Sequence, residues 1–284
     1  MIRIEDGRSM RRWSESLRRE GTSLGFVPTM GALHEGHLSL VRRSRDECAR
    51  TAVSIFVNPH QFRGGEDYER YPRPLERDAA LLEREGVDAL FAPTVEEVYP
   101  PGFSTRVVPG PLGDRYEGKS RPGHFSGVLT VVAKLFSVVG PDRAYFGRKD
   151  AQQLALVARM ARDLDLPVEV VPCPTLRDAD GVALSSRNSF LSPRERETAR
   201  CLSRALARAR AAWAEGAREA AVLRGLLRET VAASPGAELD YAAVVDPDTF
   251  EEAEGTLRAA LALLAVRVGA TRLLDNARLD LEPA

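Results

Sequence analysis

Phe26-Val27-Pro28-Thr29-Met30-Gly31-Ala32-Leu33-His34-Glu35-Gly36-His37 is the stretch whose reading decides the fold. An apolar run over 24–27 stops at a Pro-Thr-Met-Gly turn, and two histidines follow three residues apart. If a helix starts near His34, this spacing puts both imidazoles on one face of its first turn. A turn leading into a helix offers unpaired N–H groups and the positive end of the helix dipole. Anions bind there readily. Two neutral-to-cationic donors beside such an end suit a triphosphate. On this segment alone, a surface turn with two incidental histidines stays open.

The pattern continues outward from that strand. Short buried-strand runs are expected at 52–57, 89–91, 144–146 and 168–171, and helical patterns at 38–49, 74–85, 128–139 and 151–164. Alternating strand and helix implies crossover units and a parallel sheet covered on both faces. Ligands of such sheets bind beyond the carboxyl ends of the strands, and the polar clusters follow Val27, Val57, Phe146 and Val171. Composition shifts after Pro174. A polar, turn-rich stretch leads to Ser192-Pro193-Arg194-Glu195, a capping-box pattern with proline at the first helical position. Leu202, Leu206, Ala209 and Trp213 then recur at helical spacing. A second helix near 217–232 and strands at 241–245 and 261–268 complete a small unit. The expected class is α/β: a Rossmann-like, doubly wound parallel-sheet domain over 1–175, then a smaller α+β lid domain over 176–284.

Bulk properties narrow the function. Forty basic and 41 acidic residues leave a formal charge of −1, without the basic excess of a nucleic-acid footprint. Three widely spaced cysteines make neither a disulfide framework nor a metal knuckle. The N-terminus lacks a signal peptide's apolar core, and no apolar run approaches the roughly 20 residues of a membrane span. A soluble, cytoplasmic protein without membrane or nucleic-acid partners is expected.

The polar clusters read as chemistry. Asn58 and Gln61, after a buried strand, can present amides to a cleft, or serve as loop caps. Tyr71-Pro72-Arg73 offers a hydroxyl and a cation before a helix that contains Asp78. The stretch 117–125, charged and punctuated by glycine, reads as a mobile loop of the kind that folds over substrates. Gly147-Arg148-Lys149-Asp150 ends a strand and opens a helix. Its lysine can reach phosphate, and Asp150 can cap the helix or orient a ribose or a metal. Gln152 or Gln153 must face the cleft if Lys149 does. Ser185-Ser186-Arg187-Asn188 supplies hydroxyls and a guanidinium that can clamp a polyphosphate from the opposite side. Zinc would want three or four ligands at recognisable spacing, and His-x-x-His lacks a supporting cluster. Magnesium carried in by a nucleotide needs few protein ligands.

Taken together the motifs are specific: Pro28-Thr29-Met30-Gly31-Ala32-Leu33-His34-Glu35-Gly36-His37, Phe56-Val57-Asn58-Pro59-His60-Gln61-Phe62, Tyr71-Pro72-Arg73, Arg121-Pro122-Gly123-His124-Phe125, Phe146-Gly147-Arg148-Lys149-Asp150-Ala151-Gln152-Gln153, Leu184-Ser185-Ser186-Arg187-Asn188 and Thr271-Arg272-Leu273-Leu274-Asp275-Asn276. The chain resembles the pantoate–β-alanine ligases of the nucleotidylyltransferase superfamily, over about residues 3–277. His34 and His37 correspond to that superfamily's "HIGH" box. Ser185, Ser186 and Arg187 stand where relatives carry the "KMSKS" loop. Arg148 departs from the pattern, since the family usually has glutamate there; its side chain should point away from the nucleotide if Lys149 points in.

The resemblance implies an AMP-forming ligase that joins pantoate to β-alanine through pantoyl adenylate. ATP is then a substrate, Mg²⁺ accompanies it, and no tightly bound organic cofactor is needed. By the same resemblance His37, His34, Lys149 and Arg187 are catalytic. Met30, Gly31, Ala32, Leu33, Glu35 and Gly36 join the histidines at ATP; so do Gly147, Arg148, Lys149 and Asp150. Leu176 packs near adenine, and Leu184, Ser185, Ser186 and Arg187 meet phosphates. Gln61 and Gln153 hold pantoate, Asn58 and Tyr71 line its pocket, and Asp78 is a magnesium candidate. A homodimer through the first domain is implied too. The alternative is a nucleotidylyltransferase that transfers a nucleotidyl group without forming an amide.

Overall fold

The run that opens the quoted stretch becomes a central strand of a six-stranded sheet. The computed structural model describes residues 1–62 and 68–281. Its strands β1 (Ile2–Ile4), β2 (Leu24–Thr29), β3 (Arg50–Ile55), β4 (Ala89–Phe91), β5 (Arg143–Gly147) and β6 (Glu169–Cys173) are all parallel, in the order β1-β4-β3-β2-β5-β6. Phe26, Val27, Ala52, Val53, Leu90 and Tyr145 are fully buried. A sheet covered on both faces needs such unbroken apolar runs. The helices of this unit are α1 (Gly7–Arg19), α2 (Glu35–Glu47), α3 (Leu75–Arg84), the single turns α4 (Val95–Val98) and α5 (Glu117–Ser120), then α6 (His124–Val139) and α7 (Ala151–Asp163). α2 lies tight on β2: a Cβ on Gly25 would stand 2.1 Å from Ser44 Oγ.

The strand order reverses at β2. Chain growth passes from β2 to β3 and β4 on one side, then crosses to β5 and β6 on the other. That reversal is where open α/β sheets form a ligand crevice. Here it is opened further by Pro28. Backbone groups of a strand face alternate sides. Leu24 bonds Asp142 on the β5 side, through its N–H at 2.7 Å and its carbonyl at 2.9 Å, whereas the Thr29 carbonyl accepts from Phe56 on the β3 side. Pro28 therefore faces β5, with no N–H to give. The β2–β5 register consists of Gly25↔Arg143 and Phe26↔Ala144, although β2 runs on to Thr29 and β5 to Gly147.

The chain divides into two compact units: Met1–Arg148 with Gln152–Cys173, and Lys149–Ala151 with Pro174–Ala284. In the second, α8 (Pro193–Ala214) and α9 (Ala220–Ala232) pack on an antiparallel sheet ordered β7-β8-β9, formed by Ala237–Val245, Leu261–Val268 and Thr271–Arg278. Leu202, Leu206, Trp213, Leu223, Leu227 and Leu264 build its core. The capping box forms at α8, where Ser192 N donates to Glu195 Oε2 at 2.8 Å and Glu195 N to Ser192 Oγ at 3.3 Å.

The stretch 117–125, expected as a mobile loop, holds α5, a turn over 121–123 and the start of α6, with Glu117, Gly118, His124 and Phe125 buried. The reason lies outside the segment. Gln152, 4% exposed on α7, donates through Nε2 to Leu112 O (2.8 Å) and Arg115 O (2.9 Å) and accepts the Glu117 N–H at Oε1 (3.1 Å).

Candidate active site

The turn between β2 and α2 is held in an uncommon shape. Gly31 (φ +81°) and Ala32 (φ +51°) are both left-handed, which costs a non-glycine residue about 1–2 kcal/mol. Thr29 Oγ1 donates to Ser54 O (2.7 Å) and accepts the Gly31 N–H (3.1 Å). Asp78, fully buried on α3, accepts the Leu33 N–H at Oδ1 (3.0 Å). Burial pushes the Asp78 carboxyl pKa up, against the Leu33 and Ala32 N–H groups and the more distant Arg77 charge. The magnesium contact expected of Asp78 thus meets a side chain sealed from solvent and engaged in shaping the turn. Among the described residues no three His, Cys, Asp or Glu side chains come together as a metal site.

This turn delivers His34 as the N-cap of α2 and His37 as its third residue. The two rings lie 4.1 Å apart and tilted by 34°. His34 N donates to His37 Nδ1 at 3.4 Å, which uses the Nδ1 lone pair and leaves the proton of a neutral His37 on Nε2. Glu35 turns outward, where Arg42 meets it.

After β3, Asn58 starts a 3-10 turn, Pro59–Gln61. Asn58 is 1% exposed and saturated. Its Nδ2 donates to Gln61 Oε1 (3.1 Å) and Gly127 O (3.1 Å), and its Oδ1 accepts from Tyr99 Oη (2.8 Å) and His60 N (3.3 Å). Asn58 therefore fixes Gln61 and has no donor to spare for a ligand. Gln61 Nε2 lies 2.9 Å from Met30 Sδ, so the turns after β2 and β3 meet. Tyr71 is buried with its ring edge-on to Phe62. His60 stacks on Tyr99 at 4.0 Å; burial, then the Arg106 charge, lowers its pKa.

After β5, a Cβ on Gly147 would meet nothing within 4 Å, so internal packing does not demand glycine there. Arg148 is exposed, Lys149 partly buried, and Lys149 Nζ lies 3.8 Å from Asp150 Oδ1. Gln153 is half-buried, one residue beyond the loop-holding Gln152.

In the second unit, Leu176 and Leu184 are paired across a tight hairpin, with Leu184 N donating to Leu176 O (2.9 Å) and Asp178 N to Val182 O (2.9 Å). Ser185 caps the following 3-10 turn, Ser186–Phe190, by accepting the Arg187 N–H (3.3 Å). β9 anchors both neighbours. Asp275, 3% exposed, takes Arg177 in two bonds of 2.6 and 3.0 Å, and Asn276 Nδ2 donates to Lys149 O at 2.7 Å. Sequence reasoning gives this Asp-Asn pair no job. Gln152, Tyr99 and Asp275 escape it as supports because their partners lie far along the chain. The signal available for Asp275 is an acid falling on the buried side of an alternating run, which asks for a cation.

The chain matches the model of the pantoate-beta-alanine ligase family over residues 3–278. It is 55% identical over 273 residues to pantothenate synthetase of Heliobacterium modesticaldum, covering 96% of this chain and 97% of that protein. With the enzyme of that name from Rubrobacter xylanophilus it shares 54% over 285 residues, 97% of this chain and 98% of the other. The crystal structure of pantothenate synthetase from Thermus thermophilus superposes with a TM-score of 0.93 at 51% identity, covering 98% and 99% of the two chains. That of Francisella tularensis pantoate-beta-alanine ligase, complexed with beta-gamma ATP and beta-alanine, superposes at 0.81 with 34% identity and complete coverage of both. The chain belongs to the pantoate–β-alanine ligase family, enzymes that condense pantoate with β-alanine to pantothenate.

Proposed function

We propose that this chain drives the condensation with ATP, through pantoyl adenylate. Pantoate's carboxylate attacks the α-phosphorus and pyrophosphate leaves. The β-alanine amine then attacks the acyl carbon, and AMP leaves with the anhydride oxygen. The observation that carries this reading is the His34–His37 pair, 4.1 Å apart at the N-terminus of α2, where the β2–β5 ladder ends. The Francisella relative, complexed with beta-gamma ATP and beta-alanine, supports it. The competing reading, nucleotidyl transfer without amide formation, is not favoured, since the relatives are ligases.

The electrostatic problem explains the residue types. A carboxylate must approach a triphosphate. One unit repulsion at 4 Å costs about 1 kcal/mol in water but about 4 at an effective dielectric of 20. Preorganised cations and donors offset that cost without reorganising. His34 is assigned to phosphate, and His37 to proton donation from Nε2, a role supported by its engaged Nδ1. Met30, Gly31, Ala32, Leu33, Glu35 and Gly36 form the ATP-side turn with them. Lys149, Gly147, Arg148 and Asp150 are assigned to ribose and phosphates; the space beside Gly147 suits a ligand passing close to the backbone. Ser185, Ser186 and Arg187, with Leu184, take phosphate, and Leu176 takes adenine. Gln61 and Gln153 read pantoate's hydroxyls and carboxylate; neutral, two-faced amides suit a centre that is already anionic. Tyr71 lines the pantoate side, and Asn58 acts there through Gln61. Mg²⁺ enters as the counter-ion of ATP. A cytoplasmic homodimer paired through the first unit completes the proposal; among the described residues no helix is long and apolar enough to cross a membrane.

Pyrophosphate exchange tests the route. With ATP, Mg²⁺ and pantoate alone the enzyme should exchange labelled pyrophosphate into ATP, and it should not do so without pantoate. Oxygen-18 in the pantoate carboxylate should finish in AMP. Release of ADP, or exchange that waits for β-alanine, contradicts the adenylate.

A further inference from the structure

The motif Arg121-Pro122-Gly123-His124 has no part in the roles assigned above, yet its two basic side chains converge on a single atom. His124 Nδ1 lies 2.8 Å from the Gln61 carbonyl oxygen, and Arg121 Nη2 donates to the same oxygen at 3.1 Å. Arg121 Nη1 also lies 3.1 Å from His124 Nε2. A guanidinium only donates, so Nε2 accepts and the imidazole proton sits on Nδ1, aimed at Gln61. His124 is 9% exposed, in the first turn of α6. One turn further on, the helix backbone itself touches the 3-10 turn: a Cβ on Gly127 would stand 2.1 Å from His60 O and 2.8 Å from Gln61 N.

Among the described residues the turn Pro59–Gln61 holds its own backbone by long bonds: Gln61 N to Asn58 O at 3.3 Å, Phe62 N to Pro59 O at 3.2 Å and His60 N to Asn58 Oδ1 at 3.3 Å. Outside groups therefore set where the Gln61 backbone lies, and the backbone sets where the carboxamide can reach. We propose that His124 and Arg121 are positioning residues for pantoate, acting through the Gln61 carbonyl. This rests on the reading of Gln61 as a pantoate ligand. Asn58 holds the Gln61 side chain, His124 and Arg121 hold its main chain, and Gly127 allows α6 close enough for both. A role confined to joining α5 to α6 would leave the substrates' relative affinities unchanged.

Steady-state kinetics on His124→Ala, His124→Asn, Arg121→Ala, Gln61→Ala and the double variant Gln61→Ala/His124→Ala decide the matter. Losing a donor to a held carbonyl should raise the pantoate KM of His124→Ala at least about fivefold, with the ATP KM within about twofold. His124→Asn, whose amide can occupy the place of Nδ1–H, should return the pantoate KM to within about twofold of the parent. In the Gln61→Ala background His124→Ala should add less than about twofold, because the effect passes through Gln61. Additive losses, or equal shifts for pantoate and ATP, overturn the proposal. If Gln61→Ala leaves the pantoate KM unchanged, the assignment of Gln61 itself falls; if Gln61→Ala raises it and His124→Ala does not, only the positioning role falls. Should His124→Ala fail to fold, half-exposed Arg121→Ala, which keeps the imidazole, decides by the same criteria.

Discussion

Replacing Asp78 measures what it takes to hold the turn that presents the two histidines. Asp78→Ala leaves the Leu33 N–H without its 3.0 Å acceptor in a buried place, a loss of about 1–3 kcal/mol. It also releases the left-handed Gly31 and Ala32, so the histidines should lose register and turnover should fall with stability. Asp78→Asn keeps an acceptor for Leu33 and removes a buried charge. Burial raises the Asp78 pKa in the folded chain above its unfolded value. The folded state therefore holds that proton more readily. The group's stability contribution is full below the ordinary carboxylate range and is lost as pH rises through the folded pKa. The asparagine variant should gain on the parent as pH rises and lose that advantage in acid. Urea midpoints taken from about pH 4 to pH 8 read this directly. The Mg²⁺ dependence of Asp78→Asn should match that of the parent, because the carboxylate is sealed from solvent. A neutral-pH loss in Asp78→Asn as large as in Asp78→Ala, or a difference flat with pH, refutes the reasoning. A large shift in Mg²⁺ requirement restores Asp78 as a metal ligand.

Other replacements probe the remaining assignments. Lys149→Ala should lower turnover at least about 10²-fold with melting nearly unchanged, as for loss of one charge-stabilising donor; near-normal turnover removes Lys149 from the chemistry. Gln153→Ala should weaken pantoate binding by about 1–3 kcal/mol and ATP binding far less, and calorimetric titrations showing equal losses contradict its role. Asp275→Ala strips Arg177 of two hydrogen bonds and should loosen the hairpin that pairs Leu176 with Leu184. ATP affinity should fall while pantoate affinity holds, and an unaltered ATP affinity would sink the idea that this hairpin meets the nucleotide.

The legible parts of the sequence are those governed by local pattern. β2, β3 and β8 are short, mostly apolar and mostly buried runs, and α8 carries its start signal in Ser192, Pro193 and Glu195. The elements that escape lack such local cues. β1 has three residues, and α1 buries only Met10 and Ser14 amid charged neighbours. β9 alternates Thr271, Leu273, Asp275 and Ala277 inward, and its aspartate is paired with Arg177, 98 positions away. The candidate site divides in the same way. The histidine pair is a local motif. Asn58 reads from sequence as either a cleft amide or a loop cap; it caps the Pro59–Gln61 turn, and Tyr99, His60, Gly127 and Gln61 use all its hydrogen-bonding capacity. Residues 117–125 read as loose because Gln152, which ties down the approach to them, lies on a helix that begins later in the chain.

Pro28 joins the fold to the chemistry. A proline inside a central strand ordinarily argues against that strand, because it withdraws a donor from the ladder. Here the withdrawn donor faces β5, and the paired register on that side has already ended at Phe26. On the other side β2 stays in register with β3 through Thr29. The strand is thus held along one edge and released along the other, so it can part from β5 and remain in the sheet. The parting falls at the point where strand order reverses, and the chain that leaves it turns at once through Gly31 and Ala32 into the N-terminus of α2. The N-terminus of α2 and the two imidazoles at that end suit an anion. The residue that ends the ladder and the residues that suit the phosphates are therefore parts of one local solution. The strand and the histidine pair thus meet in one stretch, while the alternation beyond it gives the fold class and the other motifs give the reaction.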